Sequence, residues 1–196
     1  MKALEYPRGA TPIDPEELEG LRLSHVTTRE ELNRWEHENI SEAMRWLERR
    51  RQKAEILNEE FVRALHKRML GKVWRWAGQF RRTNKNIGVH WAQIPLELKP
   101  LLDDTKYWIE HETYSPDEIA ARFHHRMVLI HPVPNGNGRH ARLIADVLLV
   151  DVLRREPFTW GKTDLNTAGN VRDAYIAALR AADNHDYNPL LDFVRL

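Results

Sequence analysis

Apolar residues after position 28 follow the spacing of an amphipathic helix. Thr28 can cap the helix start, and Glu31 can reach back to the amide of the cap, as in a capping box. The apolar residues that follow recur near the helical period. They are Leu32, Trp35, Ile40, Ala43, Trp46 and Leu47. The pattern predicts a long helix whose apolar stripe contains these positions.

Start and stop signals predict further helices along the rest of the chain. Asn58 and Ser115 favour helix starts, and Gly71 is typical of a helix end. The predicted helices begin near residues 58, 95, 115, 139 and 167, and a short one covers 189–193. Residues 1–27 contain several prolines and few apolar residues, which favours irregular structure. The whole chain is therefore predicted to be mostly helical.

Residues 87–94 differ from this pattern. Ile87, Val89, Trp91 and Ile94 are types enriched in strands. We expect this segment to form a small hairpin, the one minor β element of the fold.

Composition limits the classes of function. The chain has 196 residues, with 30 Lys and Arg against 29 Asp and Glu. This length suits one domain with or without an arm, and the balanced charge gives no case for general nucleic-acid binding. The sequence contains no cysteine, which excludes disulfides and fits a cytoplasmic location. We expect neither a signal peptide nor a membrane span.

Residues 131–142 carry the candidate chemistry. His131 opens the segment, Gly136 and Gly138 flank an asparagine, and Arg139 and Arg142 lie three residues apart. Backbone amides at a helix start bind anions, and glycine lets a ligand approach them closely. A histidine beside such a turn can exchange a proton near neutral pH. The segment therefore predicts a phosphate-binding turn next to a general base.

This segment resembles the motif of the Fic family, which reads His-x-Phe-x-(Asp/Glu)-Gly-Asn-Gly-Arg-x-x-Arg. The resemblance extends over roughly residues 60–195, through Leu65-His66, the run 76–81, Phe123-His124 and the run 175–179 with Asp183. More narrowly, Pro134 to His140 and the N-terminal segment resemble the bacterial branch called mobile mystery protein B. The resemblance implies an all-α, mainly helical Fic fold with a small β-hairpin flap. It also implies an N-terminal arm at 1–57, containing an inhibitory helix in some members, and a catalytic core at 58–196.

Fic proteins typically transfer AMP from ATP to a hydroxyl group of a target protein. By resemblance, His131 is the general base that takes the proton of a Ser, Thr or Tyr hydroxyl. Gly136, Asn137 and Gly138 would bind the α- and β-phosphates. Arg139 would bind the β- and γ-phosphates, and Arg142 the γ-phosphate. The flap residues that would dock the target main chain are Gly88, Val89, His90 and Trp91.

The sequence departs from the family motif at two positions. Asn135 replaces the acidic ligand of Mg²⁺, and Val133 replaces the usual phenylalanine. The amide oxygen of Asn135 can still coordinate Mg²⁺, a cation that prefers oxygen ligands, but it lacks the negative charge. We therefore expect weaker metal binding and a less tightly packed loop. Gly138 matches the nucleotidyl-transfer form of the motif.

A partial inhibitory motif lies on the first long helix. Family members with this helix carry (Ser/Thr)-x-x-x-Glu-(Gly/Asn), whose glutamate pairs with the second motif arginine. Glu38 and Asn39 match its end, but Arg34 stands in place of the hydroxyl residue. If the helix is inhibitory, Glu38 should face Arg142; otherwise Glu38 is an exposed helix charge.

Other functions remain open at this point. The chain could be a catalytically weak or inactive Fic-fold module that binds nucleotide or protein, or it could transfer a different nucleotide or phosphate group. The expected partner is a target protein, with neither a membrane nor a specific nucleic acid. A homodimer or an antitoxin-like partner also stays open.

Overall fold

The structure is a computed structural model that describes residues 13–50, 55–162 and 169–196. Its helices are α1 (Pro15–Leu18), α2 (Arg29–Arg49), α3 (Glu59–Leu70), α4 (Ile94–Glu110), α5 (Pro116–Ile130), α6 (Asn137–Val147), α7 (Asn170–Asp183) and α8 (Asn188–Val194). A π-helical turn, Leu148–Leu153, continues α6, and 3₁₀ turns form at Trp91–Gln93 and Trp160–Lys162. Residues 1–12 and the predicted helix start at Thr167 lie outside the described residues.

The local signals at Thr28 and Asn58 place the starts of α2 and α3 correctly, whereas the short helix α1 lies within residues 1–27, which the sequence predicts to be irregular. The Thr28 hydroxyl accepts the amide of Glu31 at 3.2 Å, and the Glu31 carboxylate accepts the amide of Thr28 at 3.2 Å. Asn58 accepts the amide of Phe61 at 2.7 Å and so caps α3. These bonds satisfy amides that the first turn of a helix leaves without partners, which is why they can be predicted from nearby residues alone.

The core lies where α3, α5 and α6 meet. Leu65 of α3, Phe123 of α5 and Ile144 of α6 are fully buried. Helix α2 packs on α3, α4 packs on α5, and α7 packs on α8. Because α5 and α6 are both held in the core, residues 131–136 between them are anchored at each end.

Residues 87–94 form no strand, so the predicted hairpin is wrong. Residues 87–90 are irregular, a 3₁₀ turn follows, and α4 already begins at Ile94. Gly88 has a φ of 100°, which breaks an extended run. The Arg81 side chain donates to the Val89 carbonyl, and the Asn84 side chain accepts the amide of Trp91. Side chains thus supply bonds that a hairpin would take from a second strand.

The buried face of α2 also differs from the predicted stripe. Trp35 is 38% exposed, whereas the neighbouring Glu36 is 1% exposed. The buried positions of α2 are Leu32, Glu36, Asn39 and Ala43. Two polar residues therefore take places that hydrophobic periodicity would give to apolar ones.

The helices bury one face each. Within the described residues, none of them is both long enough and apolar enough to cross a membrane. Their other faces carry charged side chains, as in the i,i+4 pair Lys99–Asp103 of α4.

Candidate active site

The loop between α5 and α6 is held in shape by the side chain of Asn137. His131 ends α5 with a left-handed φ of 54°. Asn137, the first residue of α6, accepts the amide of Val133 at 3.0 Å and donates to the carbonyl of Val133 at 2.7 Å. This two-bond clamp makes the Asn137 side chain part of the loop's frame, so its side chain is not directed at a ligand.

The start of α6 has the features of an anion-binding site. Gly136 precedes the helix with a φ of 80° and, as a glycine, has no side chain that could cap the first turn. The first amides of an α-helix have no acceptor within the helix. A Cβ atom built on Gly136 would lie 3.8 Å from Nη2 of Arg139, and one built on Gly138 would lie 3.7 Å from Nη1 of Arg142. Both guanidinium groups therefore lie beside these amides, as the sequence pattern predicts.

His131 lies at the other end of the loop and is 4% exposed. Its Nδ1 atom is 3.3 Å from the carbonyl of Val128. Burial, together with the nearby positive charges of Arg81 and Lys85, lowers the pKa of His131 to about 4. The imidazole is therefore neutral near pH 7 and can accept a proton.

Arg81 is a buried site residue to which the sequence alone assigns no role. Its Nε donates to the carbonyl of His131 at 2.6 Å, and its backbone amide donates to the carbonyl of Pro132 at 3.0 Å. The same guanidinium donates to the carbonyls of Thr83 and Val89. Arg81 thus ties residues 83–89 to the loop. An arginine in the run Phe80-Arg81-Arg82 gives no sequence signal for this role.

The segment 87–91 lies directly against His131. A Cβ atom built on Gly88 would come within 2.6 Å of the His131 Cβ, so only glycine fits there. The side chain of Lys85, just before this segment, is 2% exposed and pairs with Asp14 and Glu17, each at 2.6 Å. The structure therefore brings Gly88, one of the predicted flap residues, next to the predicted base, although without a β-hairpin.

Helix α2 contributes a glutamate to the site, but at a different position from the one predicted. The Glu36 carboxylate pairs with Nη1 of Arg139 at 2.7 Å and accepts the indole N–H of Trp74 at 2.7 Å. Glu38 is exposed, and within the described residues it forms no ion pair. The signal for Glu36 would have been a glutamate on the apolar face of a helix.

An open cleft of about 440 Å³ separates α2 from α6. Arg34 and His37 of α2 line one side, and Arg139 and Arg142 line the other. Trp160 lies at its edge, where its indole N–H donates to Asp146. The cleft is large enough for a small ligand and carries cationic groups on both walls.

The Arg142 side chain packs against the ring of Tyr175. The guanidinium lies 5.8 Å from the centre of the Tyr175 ring. The Tyr175 hydroxyl bonds to Nε2 of His124 at 2.9 Å, deep in the core. These contacts hold the second motif arginine at the cleft.

Buried histidines make the protein sensitive to acid. Burial lowers the pKa of His66 and His131 to about 4, and of His124 and His140 to about 3. The unfolded chain binds these protons near pH 6.5, so it binds more protons than the folded chain between pH 6.5 and 4.

We therefore expect the free energy of unfolding to fall as the pH drops through this range, by about 1 kcal/mol per pH unit for each histidine. Urea unfolding at pH values from 7 to 4 measures this. An unfolding free energy that stays constant over the range would contradict it.

A helical fold with a cation-flanked helix start preceded by glycine is typical of a class of anion-binding proteins. Within that class, residues 56–149 match the model of the Fic/DOC family. The chain is 31% identical to the protein adenylyltransferase Fic of Drosophila grimshawi over 147 residues, which cover 73% of this chain and 29% of that protein. It is 29% identical to the protein of the same name from Nematostella vectensis, covering 73% of this chain and 33% of that protein.

Solved structures share the fold. Fic-1 from C. elegans superposes with a TM-score of 0.64 at 26% identity, covering 90% of this chain and 51% of that one. BepC from Bartonella tribocorum, solved with bound AMPPNP, gives a TM-score of 0.64 at 18% identity and covers 93% and 97% of the two chains. The chain belongs to the Fic/DOC family. It spans about three tenths of the length of the curated relatives that it matches.

Proposed function

We propose that this protein transfers AMP from ATP to a hydroxyl side chain of a target protein. The observation that carries the proposal is a neutral, buried His131 on the same short loop as the uncapped start of α6. Relatives named protein adenylyltransferase support the reaction type. The AMPPNP bound by the BepC structure supports a nucleoside triphosphate as the ligand.

The geometry suits in-line transfer at the α-phosphorus. The target hydroxyl loses its proton to His131, its oxygen bonds to the α-phosphorus, and the bond to the β-phosphate oxygen breaks to release pyrophosphate. Such transfer depends mainly on positioning and on neutralising the phosphate oxygens. The amides of Gly136, Asn137 and Gly138 would hold the α- and β-phosphates. Arg139 and Arg142 would neutralise the β- and γ-phosphates.

The side chains of the candidate site fit Mg²⁺ only if the ion enters already bound to the triphosphate. Within the described residues, no three His, Cys, Asp or Glu side chains come together as a metal cage. Asn135 is the loop residue at the metal-ligand position, and it is 7% exposed. A neutral amide oxygen is a permissible Mg²⁺ ligand, and proteins often bind Mg²⁺ through few side chains plus phosphate oxygens. Bound Mg²⁺ would supply charge neutralisation at the phosphates.

Residues 88–91 would position the target protein. Gly88, Val89, His90 and Trp91 form an irregular segment against His131, and Trp91 is 41% exposed. A target backbone could bond to this segment while its hydroxyl side chain reaches the imidazole.

The ion pair between Glu36 and Arg139 would regulate the site. The buried Glu36 carboxylate, 2.7 Å from Nη1 of Arg139, would compete with a phosphate for the positive charge of this guanidinium. Helix α2 would therefore inhibit the enzyme through Glu36 on the first motif arginine, in place of the predicted contact between Glu38 and Arg142.

Labelled ATP tests the reaction. The purified protein is incubated with Mg²⁺ or Mn²⁺ and ATP labelled at the α- or the γ-phosphorus, alone and with a cell extract as the source of target. Protein labelled from α-labelled but not γ-labelled ATP supports AMP transfer. Label from γ-labelled ATP alone would show phosphate transfer instead. ATP binding without label, even after activation of the site by a Glu36 variant, would indicate a nucleotide-binding module.

Asn135→Asp should restore the charge that the family places at the metal position. We expect the Mg²⁺ concentration for half-maximal labelling to fall about tenfold, because a carboxylate holds a hard cation more strongly than an amide. Titration of labelling against Mg²⁺ measures this, with Asn184→Asp, at an exposed position after α7, as the control. An unchanged Mg²⁺ requirement would show that residue 135 does not contact the ion.

A further inference from the structure

His66 of α3 lies beneath the motif loop and is fully buried. Its Nδ1 atom accepts the backbone amide of Gly78 at 2.9 Å. Its Nε2 atom lies 3.1 Å from the backbone carbonyl of Asn135. The ring thus joins three parts of the chain: helix α3, the turn at Gly78 and the loop that leads into α6.

These two contacts determine the tautomer of the imidazole. A backbone amide can only donate, so Nδ1 must carry a lone pair, and the proton of the neutral ring must be on Nε2. A doubly protonated ring could not accept the Gly78 amide, so this hydrogen bond also requires the neutral form of the ring. Nε2–H therefore donates to the Asn135 carbonyl, and both ring nitrogens are satisfied.

The bond acts on the peptide unit that contains the first of the proposed anion-binding amides, that of Gly136. The Asn135 carbonyl belongs to the peptide that joins residue 135 to Gly136, and α6 begins at the next residue. A Cβ atom built on Gly136 would lie 2.7 Å from Leu70 Cδ1 and 3.6 Å from His66 Nε2, so the loop rests directly on α3. Fixing this peptide plane sets the direction in which the following amides point.

We infer that His66 is a positioning residue, which orients the phosphate-binding start of α6 through its hydrogen bond to the Asn135 carbonyl. This inference rests on the proposed function, since it assumes that the start of α6 binds phosphate. His66 itself touches no substrate. Its effect is to hold the loop in its binding conformation before the nucleotide arrives, which lowers the cost of binding.

Two variants separate the two hydrogen bonds of His66. In His66→Gln the amide nitrogen can take the place of Nε2 and keep the bond to Asn135. In His66→Asn the shorter side chain can accept from Gly78 but cannot reach Asn135. Both variants replace the same buried ring with an amide side chain, so each serves as the stability control for the other.

We expect His66→Asn to weaken ATP binding about tenfold and His66→Gln to weaken it less than threefold, as the loss of one buried hydrogen bond predicts. Calorimetric titration with ATP and Mg²⁺ measures the affinity, and thermal unfolding measures stability. In the labelling assay, the KM for ATP should rise in His66→Asn while kcat changes little. Equal ATP affinities for the two folded variants would overturn the inference.

Nitrogen NMR gives a second readout that needs no nucleotide. We expect the His66 ring of the wild-type protein to be protonated at Nε2 and unprotonated at Nδ1. We also expect the amide signals of Gly136, Asn137 and Gly138 to shift more in His66→Asn than in His66→Gln. The opposite tautomer would overturn the inference even if both variants failed to fold. Failure of both the wild-type protein and Glu36→Gln to bind ATP, with the expected NMR result, would instead overturn the proposed function.

Discussion

Replacing His131 with alanine should lower the rate of AMP transfer by about 10²- to 10⁴-fold, the usual contribution of a positioned general base. The imidazole is the only titratable side chain of the loop between α5 and α6. With its pKa lowered to about 4, it carries no proton at pH 7 and is ready to take one from a hydroxyl group. Protein labelling from α-labelled ATP measures the rate.

The variant should bind ATP with nearly unchanged affinity, because the helix start and both arginines remain. His111→Ala, at an exposed position that ends α4, is the matched control and should keep full activity. For the wild-type protein, labelling should stay constant from pH 8 to about pH 5 and fall below that as His131 becomes protonated. Equal labelling by His131→Ala and His111→Ala would exclude His131 as the base.

Replacing Glu36 with glutamine should raise the rate of labelling and the affinity for ATP. The glutamine keeps the size of the side chain and can still accept the Trp74 indole N–H through its amide oxygen. It loses the charge that holds Arg139 at 2.7 Å. Releasing a charged hydrogen bond of about 1.5–3 kcal/mol predicts an increase of about tenfold or more.

Glu38→Gln provides the control for this experiment. It makes the same chemical change two residues further along α2, at an exposed position without an ion pair in the described structure. We expect it to leave labelling and ATP affinity unchanged. A gain of activity in Glu38→Gln, or lower ATP affinity in Glu36→Gln with unchanged thermal stability, would contradict the regulatory role of Glu36.

The helices and the loop that holds the candidate site could be predicted because their signals are local. The caps at Thr28, Asn58 and Ser115 bond to amides three residues later. The segment from His131 to Arg142 similarly contains its own glycines, arginines and closing asparagine. Its chemistry follows from residue types and short spacings, so it could be predicted without knowing where the rest of the chain lies.

Predictions from one helix face or one short segment were less successful where residues distant in the sequence bond to that face or segment. Hydrophobic periodicity assigned Trp35 to the apolar stripe of α2, whereas the structure buries Glu36, which finds partners in Trp74 and Arg139. The strand propensity of residues 87–94 is overruled by Arg81, whose side chain bonds to Val89 and to the carbonyl of His131. Propensity describes a segment without its tertiary partners, and these partners decide the outcome.

By itself, the sequence determined the mainly helical fold and most of the helix starts, and it predicted the base and the anion-binding turn. Only the tertiary structure decided which glutamate reaches a motif arginine, which histidine bonds to the loop and how Gly88 lies against His131. The physical reason is distance along the chain: Glu36 and Arg139 are 103 residues apart, and His66 and Asn135 are 69 apart. Packing of α2 and α3 against the rest of the core brings each pair within hydrogen-bonding distance, and neither separation leaves a local pattern in the sequence.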